Sequence, residues 1–222
     1  MKRIKELLRA MKFSDYVYWG MTLVPFLITL VFYSRLPEQV PTHWNAAGEV
    51  NGYSSKLMAG FGIPLFMVFM AVMVNISIWA DPKRANIACS KELRQITRWF
   101  VVVLAILVQA VTMLSGVGVK LNVRLFATVP IGILCMVMGN YFPKCRQNYS
   151  MGIKLPWTLA DEDNWTRTHR LAGYVWTVGG AVLVVCGIAG WNHLFFGIMI
   201  VMALIPSVYS FLIYHRKMEG KG

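Results

Sequence analysis

Apolar residues run almost without interruption through six segments of this chain: Tyr16–Ser34, Leu57–Ala80, Trp99–Val119, Leu125–Tyr141, Leu171–Gly190 and Leu194–Tyr214. A helix needs about 20 mostly apolar residues to cross a hydrocarbon core about 30 Å thick, and each segment approaches that length. The runs do not alternate as barrel strands would, and an open strand would leave unpaired backbone groups in lipid. The pattern therefore predicts an all-α fold, a polytopic transmembrane helical bundle of about six spans. The first run ends in Tyr33-Ser-Arg-Leu-Pro37 with no small-x-small cleavage site, so it reads as a retained span and not a signal peptide.

The polar segments between the runs give the orientation. Of the 22 Lys and Arg residues, all but Arg35, Lys56, Lys120 and Arg124 fall in the leader, the 81–98 connection, the 142–170 loop or the tail. These are alternate connections, and basic excess marks the cytoplasmic side. Both termini are thus expected in the cytoplasm of a multi-pass membrane protein. The same reading divides the chain into a basic N-terminal segment (1–15), a first helical pair (16–80) with an extracellular loop at 35–56, and a second pair (81–141) entered through 81–98. A cytoplasmic aromatic loop (142–170) and a third pair with a basic tail (171–222) complete it. In the leader, Ile4, Leu7, Leu8 and Met11 recur at helical spacing. A helix on the membrane surface and simple charge anchoring of the first span both fit.

Composition agrees. The chain is 57% hydrophobic and only 14% charged, against about 25% charged in soluble domains. The net charge of +12 sits beside apolar runs, where lipid headgroups are the nearest anions; membrane lipids are the expected partner, and direct nucleic-acid binding is excluded. The four cysteines lack C-x-x-C spacing and read as packing residues. Gly173, Gly180 and Gly187 recur every seven residues, which places them near one helix face where a neighbour can approach closely. Asn75 and Gln109 are polar within spans and are expected to bond between helices.

Two loops carry more than connection. In 35–56, Pro37 and Pro41 oppose helix; Leu36, Val40, Thr42 and Trp44 share one side if the stretch is extended. Asn45 to Gly48, and Asn51-Gly52, signal turns. His43 with Glu38 and Glu49 is a poor metal set, even if His193 joined it, so no metal is expected and His43 should be a packed, hydrogen-bonded histidine. In 142–170, Thr158 followed by Asp161 reads as a helix start with Thr158 as N-cap, and Asp161, Glu162 and Asp163 suit its first turn. Trp165, His169 and Ala172 then share a face. Trp157, Trp165 and His169 are expected to form one constellation, with Trp165 and His169 facing the Asn148–Gly152 turn.

No Ser-His-Asp order, His-Glu-x-x-His or phosphate-binding glycine loop is present, so neither enzymatic activity nor a cofactor is expected. All ten acidic residues lie outside the spans, which argues against an ion-coupled transporter.

Pro41-Thr-His-Trp-Asn-Ala-Ala-Gly48 after Leu36-Pro37 resembles the extracellular element of the SdpI-type immunity protein family of bacteria. Asn148-Tyr-Ser-Met-Gly-Ile-Lys-Leu-Pro-Trp-Thr-Leu159, with Trp165-x-x-Thr-His-Arg-Leu-Ala-Gly173, resembles its cytoplasmic signature. The family usually carries Gly-Ile-Arg-Thr-Pro-Trp-Thr-Leu; Lys154 and Leu155 stand here for Arg and Thr, and lysine lacks the planar fork. The resemblance implies an immunity or receptor protein protecting against a secreted membrane-active peptide toxin, with signalling through a cytoplasmic transcriptional repressor recruited to the membrane. Pro37, Pro41, His43, Trp44 and Gly48 would meet the ligand or toxin. Asn148, Gly152, Pro156, Trp157, Thr158, Trp165, His169 and Arg170 would form the structural or partner-docking set. A small-molecule or lipid transporter or flippase is the alternative reading.

Overall fold

The computed structural model describes residues 12–45 and 47–220, apart from the side chain of Cys89; most of the predicted leader lies outside the described residues. Among the described residues, six helical stretches are long and apolar enough to cross a membrane: Phe13–Arg35, Met58–Ala80, Lys91–Gly116, Val123–Lys144, Glu162–Ala189 and Asn192–Glu219. The first contains helices α1 (Phe13–Met21) and α2 (Val24–Phe32), with Pro25 at the start of α2 interrupting the ladder. Then come strands β1 (Gln39–Trp44) and β2 (Val50–Ser55), helices α3 (Ile63–Ala80), α4 (Arg84–Cys89), α5 (Lys91–Gly116) and α6 (Val123–Tyr141), the short α7 (Pro156–Ala160), and α8 (Glu162–Ala189) and α9 (Phe195–Glu219). The third and fifth spans begin well before their apolar runs, because polar helical turns extend them beyond the hydrocarbon.

The chain divides into two compact units. One comprises the described part of Met1–His43 with Val50–Val72 and Trp99–Leu121; the other comprises Trp44–Glu49, Met73–Arg98 and Asn122–Gly222.

In the first unit, Leu36 and Val40 are buried with Ala59 and Met113, which seats β1 on the helices. A π-helical turn at Met58–Gly62 precedes α3. Gln109 Nε2 donates to Thr29 Oγ1 (2.9 Å) and to the Ala59 carbonyl (3.1 Å), and Thr29 Oγ1 donates to the Gly60 carbonyl (2.6 Å). Side chains thus satisfy carbonyls around a turn with irregular backbone bonding, as burial demands. The expected interhelical role of Gln109 is met.

In the second unit, α6 and α8 pack backbone to backbone along the predicted glycine face. A Cβ on Gly180 would lie 2.5 Å from the Gly132 carbonyl oxygen and 2.7 Å from the Met136 nitrogen; one on Gly173 would meet Pro143, and one on Gly187 would meet Thr128 and Val129. Pro206 in α9 cannot donate to the Met202 carbonyl, and the Trp176 indole N–H fills that place at 3.2 Å. Thr128 Oγ1 also donates to Asn192 Oδ1 (2.9 Å).

Candidate functional site

The loop after α6 folds around the buried Trp165–His169 pair of α8. The two rings stack with centroids 4.0 Å apart, and both residues are 1% exposed. Trp165 Nε1 donates to the Cys145 carbonyl (2.7 Å), and His169 Nε2 accepts from the Ile153 backbone N–H (2.9 Å). His169 Nδ1 lies 2.8 Å from the Trp165 carbonyl. An accepting Nε2 fixes the neutral tautomer with its proton on Nδ1. Phe142 sets its ring edge-on to His169 (5.9 Å), and Ala172 is fully buried one turn along. As expected, Trp165 and His169 face the Asn148–Gly152 turn.

Gly152 has φ +95°, and a Cβ there would press on His169 Nε2 and the Trp165 ring. Only glycine suits both the backbone and the space. Asn148 is fully buried: its Oδ1 accepts from Ser150 N (2.9 Å) and Met151 N (2.6 Å), and its Nδ2 donates to the Arg146 carbonyl (2.8 Å).

Sequence reasoning missed two further anchors. Asp81, 4% exposed at the end of α3, accepts from Lys83 N (2.7 Å), Tyr149 N (2.8 Å) and Ser150 Oγ (2.6 Å). Gln147 donates to the Thr158 and Leu159 carbonyls (2.8 and 3.0 Å), its Oε1 accepts from Lys83 Nζ, and its own carbonyl accepts from Asn86 Nδ2 (2.8 Å). Asp81 followed by Pro82 at the end of an apolar run was the available signal, and the surrounding basic cluster obscured it. Asp81→Asn would turn an N–H₂ toward groups that already donate. Charge-assisted bonds of this kind are worth about 1.5–3 kcal/mol, so thermal unfolding in detergent should show a loss of about that size; an unchanged midpoint would contradict this role.

Three expectations change. Thr158 is not the N-cap of the fifth span. Pro156 starts the separate α7 one turn earlier, and Thr158, fully buried, accepts from Leu155 N (2.9 Å) while lying 2.9 Å from the Ile153 carbonyl. The cap of α8 is Asp161, extended at φ −139°, whose Oδ1 accepts from Asp163 N (2.9 Å) and Asn164 N (3.3 Å). Lys217 Nζ lies 2.7 Å from both Asp161 and Asp163, and this contact, helped by the backbone bonds, holds the Asp161 carboxyl below its ordinary pKa. Second, Trp157 does not join Trp165 and His169: α7 turns it onto α9, stacked on Tyr214 (5.9 Å) and edge-on to Phe211 (5.5 Å). Beside it, buried Asn164 bonds the Ser210 carbonyl (3.0 Å) and hydroxyl (2.8 Å).

The third change concerns the 35–56 loop, which is a two-stranded hairpin. Its turn lies at Asn45–Glu49, where Gly48 takes φ +77° and Asn45 N donates to the Glu49 carbonyl (2.9 Å). Asn51-Gly52 is not a second turn but part of β2: Asn51 Oδ1 meets His43 Nδ1 at 2.6 Å, and Gly52 lies against the His43 side chain. His43 is therefore hydrogen-bonded but exposed, not packed. Pro37 is exposed, and Pro41 and Trp44 are half-buried. Gly48 lies against the Arg124 side chain.

The loop site builds a surface. Apart from the buried Trp157 indole N–H, which finds no partner among the described residues, the buried side-chain groups described above are taken up within the loop and its neighbouring helices, leaving Arg146, Tyr149, Lys154, Pro156 and Arg170 exposed around a fixed framework. Among the described residues no group of three or more His, Cys, Asp or Glu side chains is placed to hold a metal.

Residues 144–210 match the SdpI/YfhL protein family, and residues 20–68 match a domain of unknown function, DUF1648. The chain is 28% identical over 199 residues to the immunity protein SdpI of Bacillus subtilis (strain 168), covering 88% of this chain and 92% of that protein. It is also 34% identical over 55 residues to the uncharacterized membrane protein YbgB of the same organism, covering 25% of this chain and 60% of that protein. No solved structure matches. The family match coincides with the loop and the helices that follow it, and the resemblance to one relative covers 88% of the chain: the chain is a multi-pass membrane protein similar in sequence to the SdpI type.

Proposed function

We propose that this chain is an immunity protein that protects its cell against a secreted membrane-active peptide toxin. The observation that carries the reading is the extended similarity to a protein named for immunity. The geometry supports a recognition role in preference to catalysis: His169 spends both ring nitrogens on backbone groups, and the Asp81 carboxylate holds a loop in place. In this reading both termini lie in the cytoplasm. The hairpin meets the peptide outside through His43 and Trp44, framed by Pro37, Pro41 and Gly48. The framed loop inside offers Arg146, Tyr149, Lys154 and Arg170 to a cytoplasmic partner, a transcriptional repressor if the chain also signals.

The test is a survival assay on cells challenged with supernatant from toxin-producing siblings. His43→Ala removes an exposed side chain and one surface bond, so folded protein should be unchanged while survival falls. Full survival with both His43→Ala and Trp44→Ala would remove the hairpin from recognition.

A further inference from the structure

Helices α8 and α9 separate along one flank and leave an apolar groove of about 620 Å³. Tyr174, Val178 and Val182 of α8 and Gly197, Val201 and Ile205 of α9 line it. From Leu194, the residue that caps α9, to Ile205 is a rise of eleven residues, a length of ~16 Å at 1.5 Å per residue. One leaflet's share of a hydrocarbon core about 30 Å thick is about 15 Å, so the groove is as deep as one leaflet. Its chemistry changes at the Tyr174 end. One turn beyond Tyr174 on the same helical stripe stands Arg170, exposed and without a hydrogen bond or ion pair among the described residues. Arg167 follows at the next position of the stripe, beside Tyr209 of α9 and 3.8 Å from Asp163. Lys217 also holds that carboxylate, which leaves Arg170 as the uncommitted cation at the mouth.

We propose that this groove is a lipid site: it seats one acyl chain of an anionic phospholipid whose phosphate lies against Arg170. An apolar trough of leaflet depth with a cation at one mouth complements a phospholipid in both parts. The groove is separate from the hairpin and shares only Arg170 with the surface around the signature loop, and its lipid does not depend on the immunity reading.

Gly197 offers a clean probe, because a Cβ there meets nothing within 4 Å. Gly197→Leu should fill the groove without disturbing α9. The protein, purified in detergent and supplied with dioleoylphosphatidylglycerol or dioleoylphosphatidylcholine, is examined by native mass spectrometry. The expected result is one retained phosphatidylglycerol per chain and its loss in Gly197→Leu. Arg170→Gln, an exposed change, should keep a bound lipid but lower the preference for phosphatidylglycerol about fivefold, the worth of one cation near an anionic headgroup. Equal retention of both lipids by the unaltered protein would overturn the proposal. So would undiminished phosphatidylglycerol binding in Gly197→Leu, or a dimer that this variant converts to monomer, which would assign the groove to a second copy. Should Gly197→Leu fail to fold, the Arg170→Gln comparison decides alone.

Discussion

Gly180→Ala is expected to be among the most damaging single changes in the chain, although it adds only one methyl group. The methyl would lie 2.5 Å from the Gly132 carbonyl oxygen and 2.7 Å from the Met136 nitrogen, both backbone atoms of α6. Side chains can rotate away from an intruder; a helix backbone cannot, so α6 and α8 must separate. Separation loses contacts along the whole seam, from Gly139 beside Thr177 to Gly187 beside Thr128. Overpacking a core costs about 1–3 kcal/mol even where side chains can adjust, so a loss at or above the top of that range is expected here. Gly197→Ala is the internal control, since its Cβ points into open space. Thermal unfolding in detergent should separate the two clearly, and equal midpoints would show that the close approach is not needed.

Trp165→Ala should be comparably severe for a different reason. Removing a buried tryptophan costs about 3–5 kcal/mol through lost burial and the cavity left behind. Here the ring also forms the stacking wall for His169 and donates to the Cys145 carbonyl. Trp165→Phe keeps a wall but orphans that carbonyl, at a cost of about 1–3 kcal/mol, so the order of stability should be native, Phe, Ala. His169→Ala should release Ile153 N–H and loosen the loop from the same side. If Trp165→Ala retained native stability, the loop would not be built on this ring. Thr158→Ala, which would be mild for a simple helix cap, should also cost about 1–3 kcal/mol, because Thr158 is a buried bridge between Leu155 N and Ile153 O.

What the sequence reveals here follows from the range of the forces involved. The spans were legible because lipid imposes a length and a composition on each one separately. The glycine face was legible because helical periodicity is local: Gly173, Gly180 and Gly187 share a side whatever helix they meet. The Trp165–His169 pairing was legible for the same reason, one turn apart. Trp157 was misplaced because its neighbours, Phe211 and Tyr214, are more than fifty residues away and no local spacing points to them. Asp81 was overlooked on similar grounds, since its partners Tyr149 and Ser150 belong to another loop. The Thr158 and Asn51-Gly52 assignments failed through competition between two valid local signals. Asp161 was the better cap once Pro156 had started an earlier turn, and the His43–Asn51 bond drew a turn-forming dipeptide into a strand.

The central claim is that this membrane protein confers immunity. The direct measurement is a mixed culture of the host strain, toxin-producing and otherwise unaltered, with a sibling lacking only this chain. The account predicts selective lysis of the sibling at the density where the peptide is secreted, and rescue when the chain is restored. A sibling that grows as well as its parent throughout secretion would contradict it.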